Sequence, residues 1–403
     1  MGIHSIVMPW LAAGELHLAP QQLAWVQASG LFPVFLFILL GGAWADRTHS
    51  AKYLPALYFI LMLCTFGLLY VIRQSQISFN SLLAYALMVG GVMAFVQPLR
   101  ERLLPSIQRL SSNKSSLQLS VIQIGLAVYV TQAIGVVIAG QMDLLGVELV
   151  LIIQAITIFS VSVLFFSLRL KEITYGEEEA TDHLDKSGSV ETKAPSETNK
   201  QRIKSGLNFV WQNSTLRQLI ILVTFNGFMH IGVFIVVLPI MVRDVYNLGA
   251  GYFAALQLCF VVGNIAATLG LLKRGETQFP GREVLFSLLY SGVLMLAIAA
   301  EPKTTGLYFL VFFWGMVAGT SASLGKALLQ QTVSEEYRGR AISIYSLALF
   351  GAAPLGALTC GYALHYIDAF KLFSIAGFAT LFFFCCFLFS KTLWSQQHNP
   401  KGR

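Results

Sequence analysis

Eleven apolar stretches of about 20 residues, set apart by short polar joints, constrain this chain more than any other feature. They fall at 21–44, 53–72, 79–99, 117–141, 146–168, 217–242, 250–272, 284–300, 305–331, 341–364 and 369–390. A helix of that length crosses the hydrocarbon core of a bilayer. No water reaches a backbone N–H or C=O there, so each stretch must close its own hydrogen bonds as an α-helix. A twelfth piece, 2–13, is apolar but too short, and reads as the second half of a span. It lacks the basic start and the cleavage site of a signal peptide. Composition agrees with this reading: 56% of the residues are hydrophobic, 30 are Phe and only 12% are charged. A soluble globule of 403 residues could not build a polar skin from so few charges. Soluble enzyme, nucleic-acid binder and disordered scaffold are thereby excluded. The expected fold class is an all-α polytopic membrane protein of about 11.5 spans.

The net charge of +7 reads as topology. Of the 27 Lys and Arg, 23 fall on one side of the membrane if the long segment around 169–217 is cytoplasmic. The other side keeps Arg73, Arg243, Lys303 and Lys371. The bias survives discounting the long segment, so the C-terminus is expected in the cytoplasm. Segment 171–204 carries Glu177, Glu178 and Glu179 with several Ser and Thr, and is expected to be a flexible linker. Stretch 204–217 mixes Leu207, Phe209, Val210 and Trp211 with polar residues, as an amphipathic segment on the inner membrane face would. The expected organisation is an N-terminal bundle over 1–168, a linker over 169–216, a C-terminal bundle over 217–390 and a cytoplasmic tail over 391–403.

The halves echo each other. Gly135 and Gly140 in the fifth span have the same spacing as Gly356 and Gly361 in the eleventh, 221 residues on. Six spans, a linker and six more with such an echo suit a parallel repeat. All five cysteines sit inside apolar runs, without metal or disulfide spacing. The seven His are scattered and form no metalloenzyme pattern, and no P-loop occurs, which argues against a membrane enzyme and against direct ATP drive. No cofactor or metal is expected.

At the end of the second span Gly42, Asp46 and Arg47 form G-x-x-x-D-R, with His49 and Lys52 behind. This motif resembles the signature loop of the major facilitator superfamily, with its trailing basic pair thinned. The corresponding second-half loop keeps Lys273 and Arg274 but not the spacing. Stretch 330–361 places Arg338, Gly339 and Arg340 at the mouth of the eleventh span, then Gly351, Pro354, Gly356 and Gly361 within it. That run resembles the branch holding the enterobactin exporter and the macrolide efflux proteins, although Ser334 replaces the branch's leading Pro. In the fifth span Gly135 is followed by Val136, where antiporters of the superfamily often have Pro. The resemblance implies two six-helix bundles rocking about a central cavity in the cytoplasmic (inner) membrane. It implies a conformational latch at Gly42, Asp46, Arg47, Arg338, Gly339 and Arg340, and packing or bending at Gly135, Gly140, Gly351, Pro354, Gly356 and Gly361. It also implies a monomer that uses protons to export an amphipathic small molecule, drug-like or siderophore-like. A metabolite importer, or a sensor that transports nothing, are the alternatives.

Polar groups inside spans are the candidate cavity contacts, because a buried amide is costly unless paired. These are Gln27, Gln97, Gln118, Tyr129, Gln132, Gln154, Asn226, His230, Gln257 and Asn264. Asn226 and His230 are four apart and share a helix face, as Gln257 and Asn264 do at seven. Any one of them serves interhelical packing more readily than cargo. As a set they imply scattered hydrogen-bond partners without a fixed charge pattern. Lys326 sits where it can snorkel to the inner face, and Arg100 and Glu101 line the cavity or pair with each other. The proton-carrying residue is unassigned.

Overall fold

The computed structural model describes residues 2–45, 50–110, 117–183, 208–275, 277–333, 335–390 and 392–395. Among these residues all regular structure is helical. The first half holds α1 (Gly2–Trp10), α2 (Pro20–Ala45), α3 (Ser50–Arg73), α4 (Phe79–Leu110), α5 (Leu117–Gly140) and α6 (Val147–His183). The second holds α7 (Ser214–Val245), α8 (Ala250–Arg274), α9 (Pro280–Ala299), α10 (Thr304–Thr332), α11 (Glu335–Ala363) and α12 (Ala369–Ser390). Ten of them, α3 to α12, are long and apolar enough to cross a membrane. At 1.5 Å per residue the 26-residue α2 is about 39 Å long, enough to cross as well.

The outer helices explain where the apolar surplus goes. Phe59, Leu63, Phe66 and Tyr70, spaced by one helical turn along α3, are all exposed. Ile375, Phe378, Phe382 and Phe389 do the same along α12. Such stripes have no covering in water and belong against lipid.

Two helix ends differ from the sequence-based expectation. α7 starts at Ser214, because Asn213 Oδ1 accepts hydrogen bonds from the N–H groups of Thr215 and Leu216 and caps the helix. α6 runs to His183, so the start of the expected linker is helical. Residues 171–183 include four Glu and contain no Pro to stop a helix already under way. The remainder of the expected linker up to 207 lies outside the described residues. Beyond α12, Thr392–Ser395 forms one more turn, and the Leu393 N–H donates to Gln218 Oε1 of α7.

In a bilayer, helices gain little from burying apolar surface against each other, so close packing must hold them. Glycine supplies it. In the first half α2 meets α4 where Gly90 faces Gly30, and α1 meets α5 where Gly135 faces Gly2. In the second half α8 meets α10 at Gly263 and Gly315, and α7 meets α11 where Gly232 faces Gly356. α9 meets α12 with Gly292 against Gly377, and α3 meets α6, where Ser162 Oγ donates to the Pro55 carbonyl. Every pairing in the first half has its counterpart six helices on. Across the halves, α2 packs on α11 and α5 on α8.

Gly135 and Gly356 occupy equivalent places. A Cβ on Gly135 would stand 2.9 Å from Gly2 Cα of α1. One on Gly356 would strike the carbonyl of Phe228 in α7. The second glycine of each pair works across the halves instead. A Cβ on Gly140 would lie 2.9 Å from Ala254 Cβ on α8, and one on Gly361 would overlap Ala24 Cβ on α2. A Cβ on Gly351 would come within 2.6 Å of the Phe35 ring of α2, and Pro354 lies inside α11, one turn further.

Candidate functional site

Among the described residues the cross-half hydrogen bonds gather at the membrane face opposite the linker. There α1 ends in a π-helical turn, Leu11–Glu15, and α7 ends in another, Met241–Val245. Arg243 in the second of these reaches the first half. Its Nη1 donates to the Ala13 carbonyl at 2.8 Å and to the Leu18 carbonyl at 3.0 Å. Asp244 holds the other edge of the guanidinium, at 2.6 Å from Nη2. Nearby, Trp10 stacks on Phe253, Trp25 Nε1 donates to the Tyr362 hydroxyl, and the Gly251 N–H donates to Asp143 Oδ2. Of the latch expected at the linker face, Asp46 and Arg47 lie outside the described residues. Gly42 belongs to α2, and Arg338, Gly339 and Arg340 to the first turns of α11, where side chains are not described.

A cavity of about 290 Å³ opens in the second half, walled by α7 to α11, with Tyr129 of α5 closing it from the first half. Three rings make one wall. Phe234 and Phe260 lie 4.4 Å apart between centroids, and Trp314 stands edge-on to both at 5.5 and 5.9 Å. The polar lining is Tyr129, Asn226, His230, Asn264, Ser287, Ser291, Ser321 and Tyr345; among the described residues no Asp, Glu, Lys or Arg side chain contributes. Of the residues singled out from sequence, the cavity thus brings together Tyr129, Asn226, His230 and Asn264. Gln27, Gln97, Arg100, Gln132, Gln257 and Lys326 are placed elsewhere, and Glu101 has no described side chain. Gln257 is buried in α8, and Gln27 of α2 has a buried Nε2 without a partner.

His230 sits in a π-helical turn of α7, Gly227–Ile231. Gly227 opens this turn, Gly232 follows it, and both let α11 approach. Thr380 Oγ1 of α12 donates its proton to the Ala376 carbonyl at 2.7 Å, so toward His230 Nε2, at 3.2 Å, it accepts. The ring proton is therefore on Nε2, and Nδ1 accepts from Ser291 Oγ of α9 at 3.2 Å. His230 is a neutral, fully bonded tie between three helices. Asn264 Nδ2 donates to its own helix at the Phe260 carbonyl. Asn226 is different: its Oδ1 is enclosed and meets no donor on the protein.

The first half carries the same construction. His4 of α1 faces the Tyr85 hydroxyl of α4 at 3.5 Å. Gln154 Nε2 of α6 donates to that hydroxyl at 3.3 Å and to Thr65 Oγ1 of α3 at 3.4 Å. His4 and His230, Thr65 and Ser291, Gln154 and Thr380 are each separated by the same 226 residues. An aromatic ring on the fourth helix of each half, Tyr85 or Trp314, lies against the imidazole. Sequence reasoning missed this because only the His is kept and the other two residue types change; the constant offset betrays it. Among the described residues no three His, Cys, Asp or Glu side chains cluster as a metal site would require.

Comparison with known proteins agrees with this architecture. A model of the "Major Facilitator Superfamily" matches residues 1–357. The "Staphyloferrin A transporter" of Staphylococcus aureus (strain NCTC 8325 / PS 47) is 23% identical over 387 residues, covering 94% of this chain and 89% of the relative. The crystal structure of the nucleoside transporter NupG superposes with a TM-score of 0.67 at 13% identity, over 98% of this chain and 95% of that one. The human organic anion transporter MFSD10 (TETRAN) gives 0.65 at 16% identity, over 90% and 82%. With a repeated six-helix construction and a family match along most of its length, the chain belongs to the Major Facilitator Superfamily, a family of membrane transporters and not of enzymes.

Proposed function

We propose that the chain exports amphipathic small molecules, drug-like or siderophore-like, and is driven by the proton gradient across a cytoplasmic (inner) membrane. The single observation that carries this reading is the cavity: aromatic, free of fixed charge among its lining residues, and furnished with a few hydrogen-bonding groups. Such a lining suits a cargo that partitions into lipid, and offers nothing to neutralise a permanent charge. The relative named for staphyloferrin A supports the choice of a siderophore-like cargo.

In this reading the linker face is cytoplasmic, as its excess of Lys and Arg favours. The two bundles, 1–168 and 217–390, rock as a monomer about their common axis. Gly42, Asp46 and Arg47, with Arg338, Gly339 and Arg340, form the latch that closes the cytoplasmic mouth. An Asp at the membrane boundary is stabilised by a nearby Arg or a helix N-terminus, and releases when the helices part.

The test is efflux from energised cells loaded with lipophilic dyes, macrolides and catechol siderophores, with and without a protonophore. Protonophore-sensitive loss of one panel member is expected. Asp46→Asn should leave the protein inserted and slow that efflux at least about tenfold, the loss of roughly 1.4 kcal/mol of state stabilisation. Full efflux by a well-inserted Asp46→Asn variant removes the latch. Efflux indifferent to the protonophore removes the proton drive.

A further inference from the structure

We propose that the second-half cavity binds a planar, uncharged aromatic molecule bearing a hydrogen-bond donor, and that Asn226 selects for that donor. This rests on the exporter reading only in calling the ligand a cargo. The binding itself stands on the cavity.

At about 290 Å³ the space suits one small fused-ring system. Phe234, Phe260 and Trp314, packed tilted and edge to face, present a rigid wall on which a flat ring can lie. The lining supplies no counter-charge, so an ionised ligand would lose its hydration without compensation. The lining's polar groups are then sorted by what they already bond. Both nitrogens of His230 are taken, by Thr380 and Ser291. The Asn264 amide N–H is taken by the Phe260 carbonyl.

Among the described residues that line the cavity, Asn226 Oδ1 is an enclosed acceptor without a protein partner. An enclosed acceptor without a partner costs stability. The terminal torsion of an Asn side chain is broad, so the amide can swing to the cavity without breaking any bond of Oδ1. A ligand N–H or O–H placed there satisfies the atom. A ligand without one leaves it buried and bare, and is discriminated against for that reason.

The experiment uses the purified full chain in lipid nanodiscs and three probes in equilibrium dialysis. These are 7-amino-4-methylcoumarin, its 7-dimethylamino analogue, which has lost the donor, and coumarin-3-carboxylate, which is charged. The aminocoumarin is expected to bind about tenfold more tightly than the dimethylamino analogue, the value of one buried hydrogen bond. The carboxylate should not bind measurably. Asn226→Leu should bring the aminocoumarin down to the level of its analogue, and without ligand should unfold at the same temperature or higher. Phe260→Ala should weaken both neutral probes alike. Equal binding of the two neutral probes by the native protein overturns the proposal, whether or not any variant folds. So does a donor preference that survives Asn226→Leu, or tight binding of the carboxylate. Donor-selective binding without protonophore-sensitive efflux would remove the exporter reading and leave this site standing. Efflux without donor selectivity would do the reverse.

Discussion

His230 ties α7, α9 and α12 through two hydroxyls, and the order of donation around it sets what each neighbour is worth. Thr380→Val keeps the shape of the side chain but strands the ring N–H inside the bundle. A stranded donor costs about 1–3 kcal/mol, more than the net gain of the bond it replaces. Ser291→Ala strands an acceptor on the other edge of the ring. Replacing all three residues at once, with His230→Phe, Thr380→Val and Ser291→Ala, removes donors and acceptors together, and should cost less than the sum of the singles. Unfolding of each variant in detergent, followed by circular dichroism, checks this. A triple variant as unstable as the summed singles would show that the imidazole matters for its packing and not for its bonds. The same logic explains which site residues the sequence could reveal. Asn226, His230 and Asn264 stand out in apolar runs because amides and imidazoles there demand a partner. Ser287 and Ser291 do not, since a serine in a helix can bond its own backbone, as Ser287 does with the Val284 carbonyl. Phe234 and Phe260 are hidden among 30 Phe.

Helices are held at distances that their glycines permit, and this separates glycines that matter from those that do not. A methyl on Gly356 would collide with the Phe228 backbone, and one on Gly361 with Ala24 and the Pro20 carbonyl. Backbone cannot step aside as a side chain does, so Gly356→Ala should cost about 1–3 kcal/mol. Gly67 in α3 and Gly270 in α8 have nothing within 4 Å of the new methyl. Gly67→Ala and Gly270→Ala should be neutral or stabilise by about 0.5–1 kcal/mol, from reduced chain freedom before folding. Thermal unfolding of the three variants separates the classes, and a neutral Gly356→Ala would refute the close α7–α11 contact. At this scale the sequence is most legible, because a span must satisfy its own backbone and so announces itself as an unbroken apolar run. The start of α7 slipped by three residues from the expected one because one capping side chain, Asn213, set it. The reach of α6 to His183 was hidden because a polar helix that continues a span carries no apolar signal. Glycine spacing was legible in part: Gly135 and Gly356 mark equivalent close approaches, whereas of the polar ties 226 residues apart only His4 and His230 share a residue type.

At the scale of the whole molecule the two halves can move only by breaking what joins them, and the strongest described joint is at Arg243. Its guanidinium caps two carbonyls of the other half, Ala13 and Leu18, where the π-helical turn that ends α1 gives way to the loop before α2. Only 14% of the side chain is exposed, so these charge-assisted bonds are little screened. Each is worth about 1.5–3 kcal/mol net, enough together to hold this face shut. Sequence reading placed its latch at the opposite face, on the G-x-x-x-D-R motif, because a motif stands out and a lone Arg at a helix end does not. A carrier that alternates needs a joint at each face, each strong enough to define a state and weak enough to yield. Arg243→Gln keeps a donor for one carbonyl, but loses the charge, the second bond and the grip of Asp244. The population should therefore move toward molecules open at this face. Spin labels at Leu144 and Tyr366, both 83% exposed on opposite halves of this face, would report it. They would be placed in a background lacking the five native cysteines. A longer and broader distance distribution in Arg243→Gln is expected, and a cargo that stabilises the closed form should pull it back. An unchanged distribution would mean that Trp25–Tyr362, Asp143–Gly251 and the glycine contacts of α2 with α11 close the face without Arg243.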